Sequence, residues 1–263
     1  MTPSRSFWSA ALWPVVCVSI YLFMYVPIII LVLFSFNYSA TPFEWQGFSL
    51  RWYHELWHSD AIWAALKNSL IVAMSTVVTS LTLGTLFVLY SSKSYVSNLV
   101  VFFYASLAMP EIVLAVGLLN LFVILGVPLG LTTLIAGHTL IGLGYVVPII
   151  KSRFDEFDKR YMEASMDLGA TQGQTFRKVY IPLLGPALAA ASLLVFIVSL
   201  DDFIISFFCS GAATQTLPIY IFALIRSGAT PVINALSTVL LVISSTLVLI
   251  FSSLKIKKMD LLQ

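Results

Sequence analysis

In the run Lys151-Ser-Arg-Phe-Asp-Glu-Phe-Asp-Lys-Arg-Tyr-Met-Glu-Ala-Ser-Met-Asp-Leu-Gly-Ala-Thr-Gln-Gly-Gln-Thr-Phe-Arg-Lys-Val-Tyr-Ile-Pro182, six of the fourteen Lys and Arg residues and five of the twelve acids are gathered, with apolar sequence on either side. It is a water-facing island. Phe157, Tyr161, Ala164 and Leu168 recur at steps of four, three and four, the spacing of one helix face. Gly169 is placed to end that helix, and Thr171 with Gln174 three residues on has the form of a capping box that starts another. The second helix carries Phe176, Val179 and Tyr180 and is expected to be interrupted at Pro182. Two short helices meeting at a tight bend are predicted.

A rigid knob of mixed apolar and charged surface, held between apolar runs, suits a groove in another protein; an amphipathic connector would share its periodicity. The spacing adds more. Glu163-Ala164-Ser165, Gly169 six residues after the Glu, and Val179-Tyr180-Ile181-Pro182 closely resemble the EAA loop of ATP-binding-cassette importer permeases. That pattern is Glu-Ala-Ala, three residues, Gly, nine residues, Ile, any residue, Leu-Pro. Ser165, Val179 and Ile181 depart from it while keeping size and bend. The resemblance implies that Glu163, Ala164, Ser165, Gly169, Val179, Ile181 and Pro182 form a loop seated in an ATPase dimer.

Composition sets the class. A chain of 263 residues that is 59% hydrophobic and 10% charged has more apolar surface than one soluble core can hide, so it belongs in a bilayer. No charge occurs between Arg5 and Glu44, Lys67 and Lys93, Glu111 and Lys151, Lys178 and Asp201, or Arg226 and Lys255. A span takes about 20 apolar residues, and the Glu111–Lys151 interval is divided by the turn signal Gly126-Val-Pro-Leu-Gly130. Six helices are therefore expected, at about residues 9–35, 66–91, 98–125, 131–150, 184–206 and 231–254. The expected fold is an all-α integral membrane protein, and the resemblance implies the type I importer permease arrangement.

Orientation follows from the basic residues. With the N-terminus inside, the inner segments hold Arg5, Lys93, the six of the island, and Lys255, Lys257 and Lys258; the outer ones hold Arg51, Lys67 and Arg226. That eleven-to-three ratio puts both termini and the island in the cytoplasm and explains the basic balance without nucleic acid. The apolar run after Arg5 continues to Phe36, too long for a signal peptide, so the first helix is expected to be retained. Residues 1–65 hold that helix and an outer loop rich in aromatics (Trp45, Phe48, Trp52, Tyr53, Trp57, Trp63). Residues 66–254 form the permease core including the 151–182 loop, and 255–263 a cytoplasmic tail. Cys17 and Cys209 read as packing residues rather than a disulfide or metal pair.

Polar residues within the spans mark what remains. Ser69, Ala73, Thr76, Ser80 and Gly84 form a small-residue stripe, a packing face for another helix; a path-lining role would fall to Ser75, Thr79 and Thr82. Glu111 lies roughly 20 Å along a helix counted from Asn98, near the midplane, where a carboxylate is normally turned to a cavity. Asp201 and Asp202 stand side by side in the outer half of the fifth helix and need cations, water or distant partners. Lys67 and Arg226 are the basic candidates to pair with them; otherwise the acids line a cation path. His138 reads as a hydrogen-bonded packing residue.

There is no Walker A sequence, nucleophile elbow, metal-ligand cluster or Gly-rich dinucleotide turn, so chemistry is not expected in this chain. The segments Trp45–Tyr53, Glu163–Ala170, Ser199-Leu-Asp-Asp202 and Pro231 through Leu236 are similar to the polyamine branch of these permeases, in particular the second permease of spermidine and putrescine importers. That likeness implies an inner-membrane subunit working with a second, paralogous permease, two ATPase domains that bind ATP and Mg, and a periplasmic binding protein. Glu111, Asp201 and Asp202 suit a polycation, and Phe203, Phe207 and Phe208 offer aromatic faces. Another solute (an amino acid, a metal or a sugar) or a proton-driven carrier are the competing expectations.

Overall fold

The computed structural model describes residues 7–39, 41, 44–91, 99–157, 160–228 and 231–260. The expected turn at Lys93, the charge at Arg5, and Asp158 and Lys159 of the island lie outside them. The only β feature among the described residues is an isolated antiparallel bridge, Asn37 to Phe48. The helices are α1 (Phe7–Phe34), α2 (Arg51–Trp57), α3 (Asp60–Ser91), α4 (Val100–Ala108), α5 (Glu111–Ile124), α6 (Leu131–Asp155), α7 (Arg160–Asp167), α8 (Gln172–Thr175), α9 (Ile181–Asp201), α10 (Ile204–Cys209), α11 (Leu217–Ser227) and α12 (Pro231–Asp260). Among the described residues, four stretches are long and apolar enough to cross a bilayer: Trp13–Phe34, Asp60–Ser91, Leu131–Asp155 and Gln172–Asp201. A fifth is added if α4 and α5 count as one broken span. The chain is a multi-pass, all-helical membrane protein.

Two of the expected helices are broken. The third does not run unbroken over 98–125: α4 and α5 meet at a 113° bend. Pro110 causes it, because its ring pushes the preceding residue out of helical conformation, and Met109 is extended at φ −77°, ψ 141°. Glu111 therefore opens a half-helix instead of lying within a long one. The fifth helix, expected over 184–206, ends at Asp201; Asp202 is extended (φ −67°, ψ 120°) and α10 follows separately.

At its start this same helix corrects the reading of Pro182. The chain passes from α8 through a π turn, Phe176–Tyr180, straight into α9, so Pro182 sits near the start of a helix and does not interrupt one. A proline is tolerated in a first turn, and the wider π turn just before it relieves the clash with the preceding carbonyls. Two further differences concern connections between the expected spans: α3 begins at Asp60, and the segment after Cys209 contains α11.

The chain divides into two units. One, Ala61–Tyr220, centres on α6, which packs against α9, α4 and α10, while α5 packs against α10. One apolar cluster joins Val88, Val146, Ile150, Leu184 and Val195; a second joins Val72, Ala115, Leu134, Ile205 and Cys209. The small-residue stripe is buried as expected of a packing face, and its end at Ser80 and Gly84 meets α6: a Cβ on Gly84 would stand 2.6 Å from Val146 Cγ1, and one on Gly142 would collide with Ser80 Oγ. The hydroxyl of Thr79 is 2.7 Å from that of Thr139. The other unit, Met1–Asp60 with Ile221–Gln263, packs α12 against α1 and α2. There Trp52 is buried with its indole N–H donating to Asn37 O at 2.7 Å, so the aromatic loop folds back on itself.

Candidate functional site

Both helix breaks in the larger unit carry an acid, and the packing of α5 on α10 brings the breaks together. Glu111, Asp201 and Asp202 line one cleft of about 520 Å³. Its remaining walls are mostly apolar, including Leu107, Leu114, Ile197 and Ile204, with rings from Tyr145 and Phe203. A volume of that order holds a small organic molecule. Phe207 and Phe208 are not among the lining residues; Phe208 packs into the second apolar cluster.

The three acids are not equivalent. Asp201 ends α9 with its side chain exposed, and Glu111 is half-buried in the first turn of α5, where the helix N-terminus favours negative charge. Asp202 is only 8% exposed. It caps α10: Oδ1 accepts from Ile205 N–H at 3.3 Å and Oδ2 from Ser206 N–H at 2.9 Å. Glu111 and Asp202 line the same cleft. A carboxylate as buried as that of Asp202 calls for partners beyond the backbone.

Lys67, one of the two basic candidates, is not among the residues lining the cleft, and it is His138 that stands beside Asp202, Nε2 to Oδ2 at 3.3 Å. The histidine is buried and hydrogen-bonded, as expected of a packing residue, but its partners are the acid and two serines of the break. Sequence reasoning missed the pairing because His138 and Asp202 are distant in sequence; the signal available was that both face inward at comparable depth.

The charged island forms the predicted bend. Gly169 sits at φ +83°, in the left-handed region that favours glycine, and backbone bonds from Gly169 N–H to Met166 O and from Ala170 N–H to Ser165 O close the end of α7. Thr171 and Gln174 make the reciprocal capping box. Ser165 Oγ lies 2.9 Å from Thr175 Oγ1, and Phe154 stacks on Tyr180 with ring centres 5.5 Å apart, tying the bend to α6. No residue of α7 is buried. Glu163 and Ala164 are exposed with Tyr161 and Leu168, the last at 89%, whereas Phe157, expected on the same face, stands before α7 and packs against the core; Val179 and Ile181 are half-buried at the π turn and the start of α9.

Helices crossing a bilayer, breaks that expose acids to a shared cleft, and an uncovered helical bend are the build of a solute permease. Residues 77–255 match the family described as binding-protein-dependent transport system inner membrane component, and the chain belongs to that family. It is thus a transport subunit and not an enzyme. It is 39% identical over 237 residues to the spermidine/putrescine transport system permease protein PotC of Haemophilus influenzae, covering 88% of this chain and 91% of that one. Against the protein of the same name from Escherichia coli K12 the identity is 38%, covering 88% and 89%. The putrescine transport system permease protein PotI of Escherichia coli K12 is 36% identical, covering 83% and 82%. A chain from the crystal structure of a bacterial ABC transporter involved in the import of the acidic polysaccharide alginate has a similar fold, with TM-score 0.73, 20% identity and coverage of 93% and 97%.

Proposed function

We propose that this chain is one of the two permease subunits of an ATP-driven importer of polyamines, with spermidine and putrescine as its substrate class. The carrying observation is its 36–39% identity, along most of both chains, to permeases named for those solutes. The cleft agrees with it in chemistry. Polyamines are ammonium groups joined by methylene chains, and here carboxylates alternate with apolar walls while Tyr145 and Phe203 offer rings for cation–π contact. Acids of this kind attract a polycation yet leave it free to move on.

The membrane arrangement proposed is six spans in the bacterial inner membrane, with both termini and the α7–α8 bend in the cytoplasm. The bend seats in an ATPase dimer through Glu163, Ala164, Ser165, Gly169, Val179, Ile181 and Pro182. ATP and Mg bind in that partner. A second permease, paralogous to this one, completes the path, and a periplasmic binding protein delivers the solute. ATP-driven closure of the ATPases pushes on the bend, and the continuous helix from α8 to the end of α9 carries that movement to the acid-bearing break.

The test is uptake of radiolabelled putrescine and spermidine by the reconstituted complex, with excess unlabelled polyamine, neutral sugar or acidic sugar as competitor. Competition by polyamine alone is expected. Competition by a sugar with none by polyamine would overturn the substrate class.

A further inference from the structure

His138 has no part in the path just described, yet its imidazole joins both sides of the break between α9 and α10. The residue is 3% exposed on α6. Nδ1 lies 2.8 Å from Ser199 Oγ on α9; Nε2 lies 3.2 Å from Ser206 Oγ on α10 and 3.3 Å from Asp202 Oδ2 between them. With the Nε2 proton directed at Asp202, Nδ1 accepts from the Ser199 hydroxyl, and no polar atom of the ring is left over. Asp202 meanwhile accepts from the N–H groups of Ile205 and Ser206. Its oxygens are taken up in holding the break.

Asp201 is the residue immediately before this anchor, and its exposed side chain lines the cleft. Whether its carboxylate faces the cleft depends on how α9 ends, and α9 ends where Ser199 and Asp202 are gripped. A side chain that only filled space here would be replaceable by leucine. One that sets an orientation must hydrogen-bond.

We propose that His138 is a positioning residue for the cation path: by pinning Ser199, Asp202 and Ser206 it fixes the α9–α10 break and holds the Asp201 carboxylate in the cleft. The inference deepens, and rests on, the reading of the cleft as a polyamine path. Asp202 is then a structural anchor, while Asp201 and Glu111 face the ammonium groups.

The test measures uptake of radiolabelled putrescine and spermidine by the reconstituted complex carrying His138→Leu, His138→Asn, Asp201→Asn or the double variant H138L/D201N, with assembly checked by copurification. H138L and D201N are each expected to slow uptake about tenfold, and the double variant to be no slower than D201N alone, because the histidine acts through Asp201. Asparagine, whose amide ends close to the place of Nδ1 and can still bond Ser199, should recover part of the rate. If H138L fails to assemble, the Ser199→Ala, Ser206→Ala double variant removes two of the three contacts, leaving the one to Asp202, with little change of volume, and should slow uptake in the same direction. Full activity of an assembled H138L or serine double variant, losses that add in H138L/D201N, or asparagine no better than leucine would overturn the proposal. Normal uptake by D201N with loss in H138L would overturn the cation-path reading together with it, whereas loss in D201N alone leaves that reading standing.

Discussion

Ser165 Oγ and Thr175 Oγ1 lie 2.9 Å apart across the bend at Gly169, so α7 and α8 are held by a side-chain bond as well as by the backbone turn. A knob fixed in this way transmits a push instead of absorbing it.

Replacing Gly169 by Val tests that rigidity. Nothing lies within 4 Å of a Cβ at this position, so the substitution strains only the backbone at φ +83°, by roughly 1–2 kcal/mol. The expected outcome is weaker ATPase retention on an affinity-tagged complex in detergent, with the amount of chain in the membrane fraction unchanged.

Leu168→Glu addresses the open face of α7. A leucine that is 89% exposed contributes little to folding, so the thermal melting of the isolated permease pair should be unchanged. If the face docks in the ATPase, a buried charge there should weaken association about tenfold or more, measured by titrating ATPase onto immobilised permease.

The two adjacent acids should part company. Asp202→Ala removes a helix cap and should lower the stability of the complex by about 0.5–2 kcal/mol, read as a fall in melting temperature. Asp201→Ala breaks no cap and should leave melting unchanged while slowing polyamine uptake.

How much of this was legible beforehand varies with the range of the interaction that carries it. The bend was readable because its determinants are local: Gly169 for a positive φ, and Thr171 and Gln174 for a cap; of the four-three-four apolar step, Phe157 falls before α7 and packs on the core. The stripe from Ser69 to Gly84 was readable because small residues at helical spacing have one common use. The breaks at Met109–Pro110 and Asp202 were not, since a proline in a membrane helix is often only a kink and an Asp-Asp pair carries no mark of being a cap. The His138–Asp202 contact was out of reach for a different reason, because only the packing of α6 against both α9 and α10 creates it. The continuation through Pro182 depended on a π turn, which has no simple sequence signature.

The packing of α3 on α6 gives a further test through Gly142. Alanine there gains about 1 kcal/mol of helix propensity but drives a methyl into Ser80 Oγ, an overpacking that typically costs about 1–3 kcal/mol. G142A should therefore melt lower than the parent, and adding Ser80→Gly should restore part of the loss.

The central claim is that this chain is a passive path worked by a separate ATPase. The most direct measurement is accumulation of radiolabelled spermidine and putrescine in proteoliposomes holding both permeases, the ATPases and the binding protein, compared with ATP supplied and with only a proton gradient imposed. Accumulation that requires ATP and the binding protein, and is absent with the gradient alone, is predicted. Accumulation driven by the gradient in the absence of the ATPases would contradict the account.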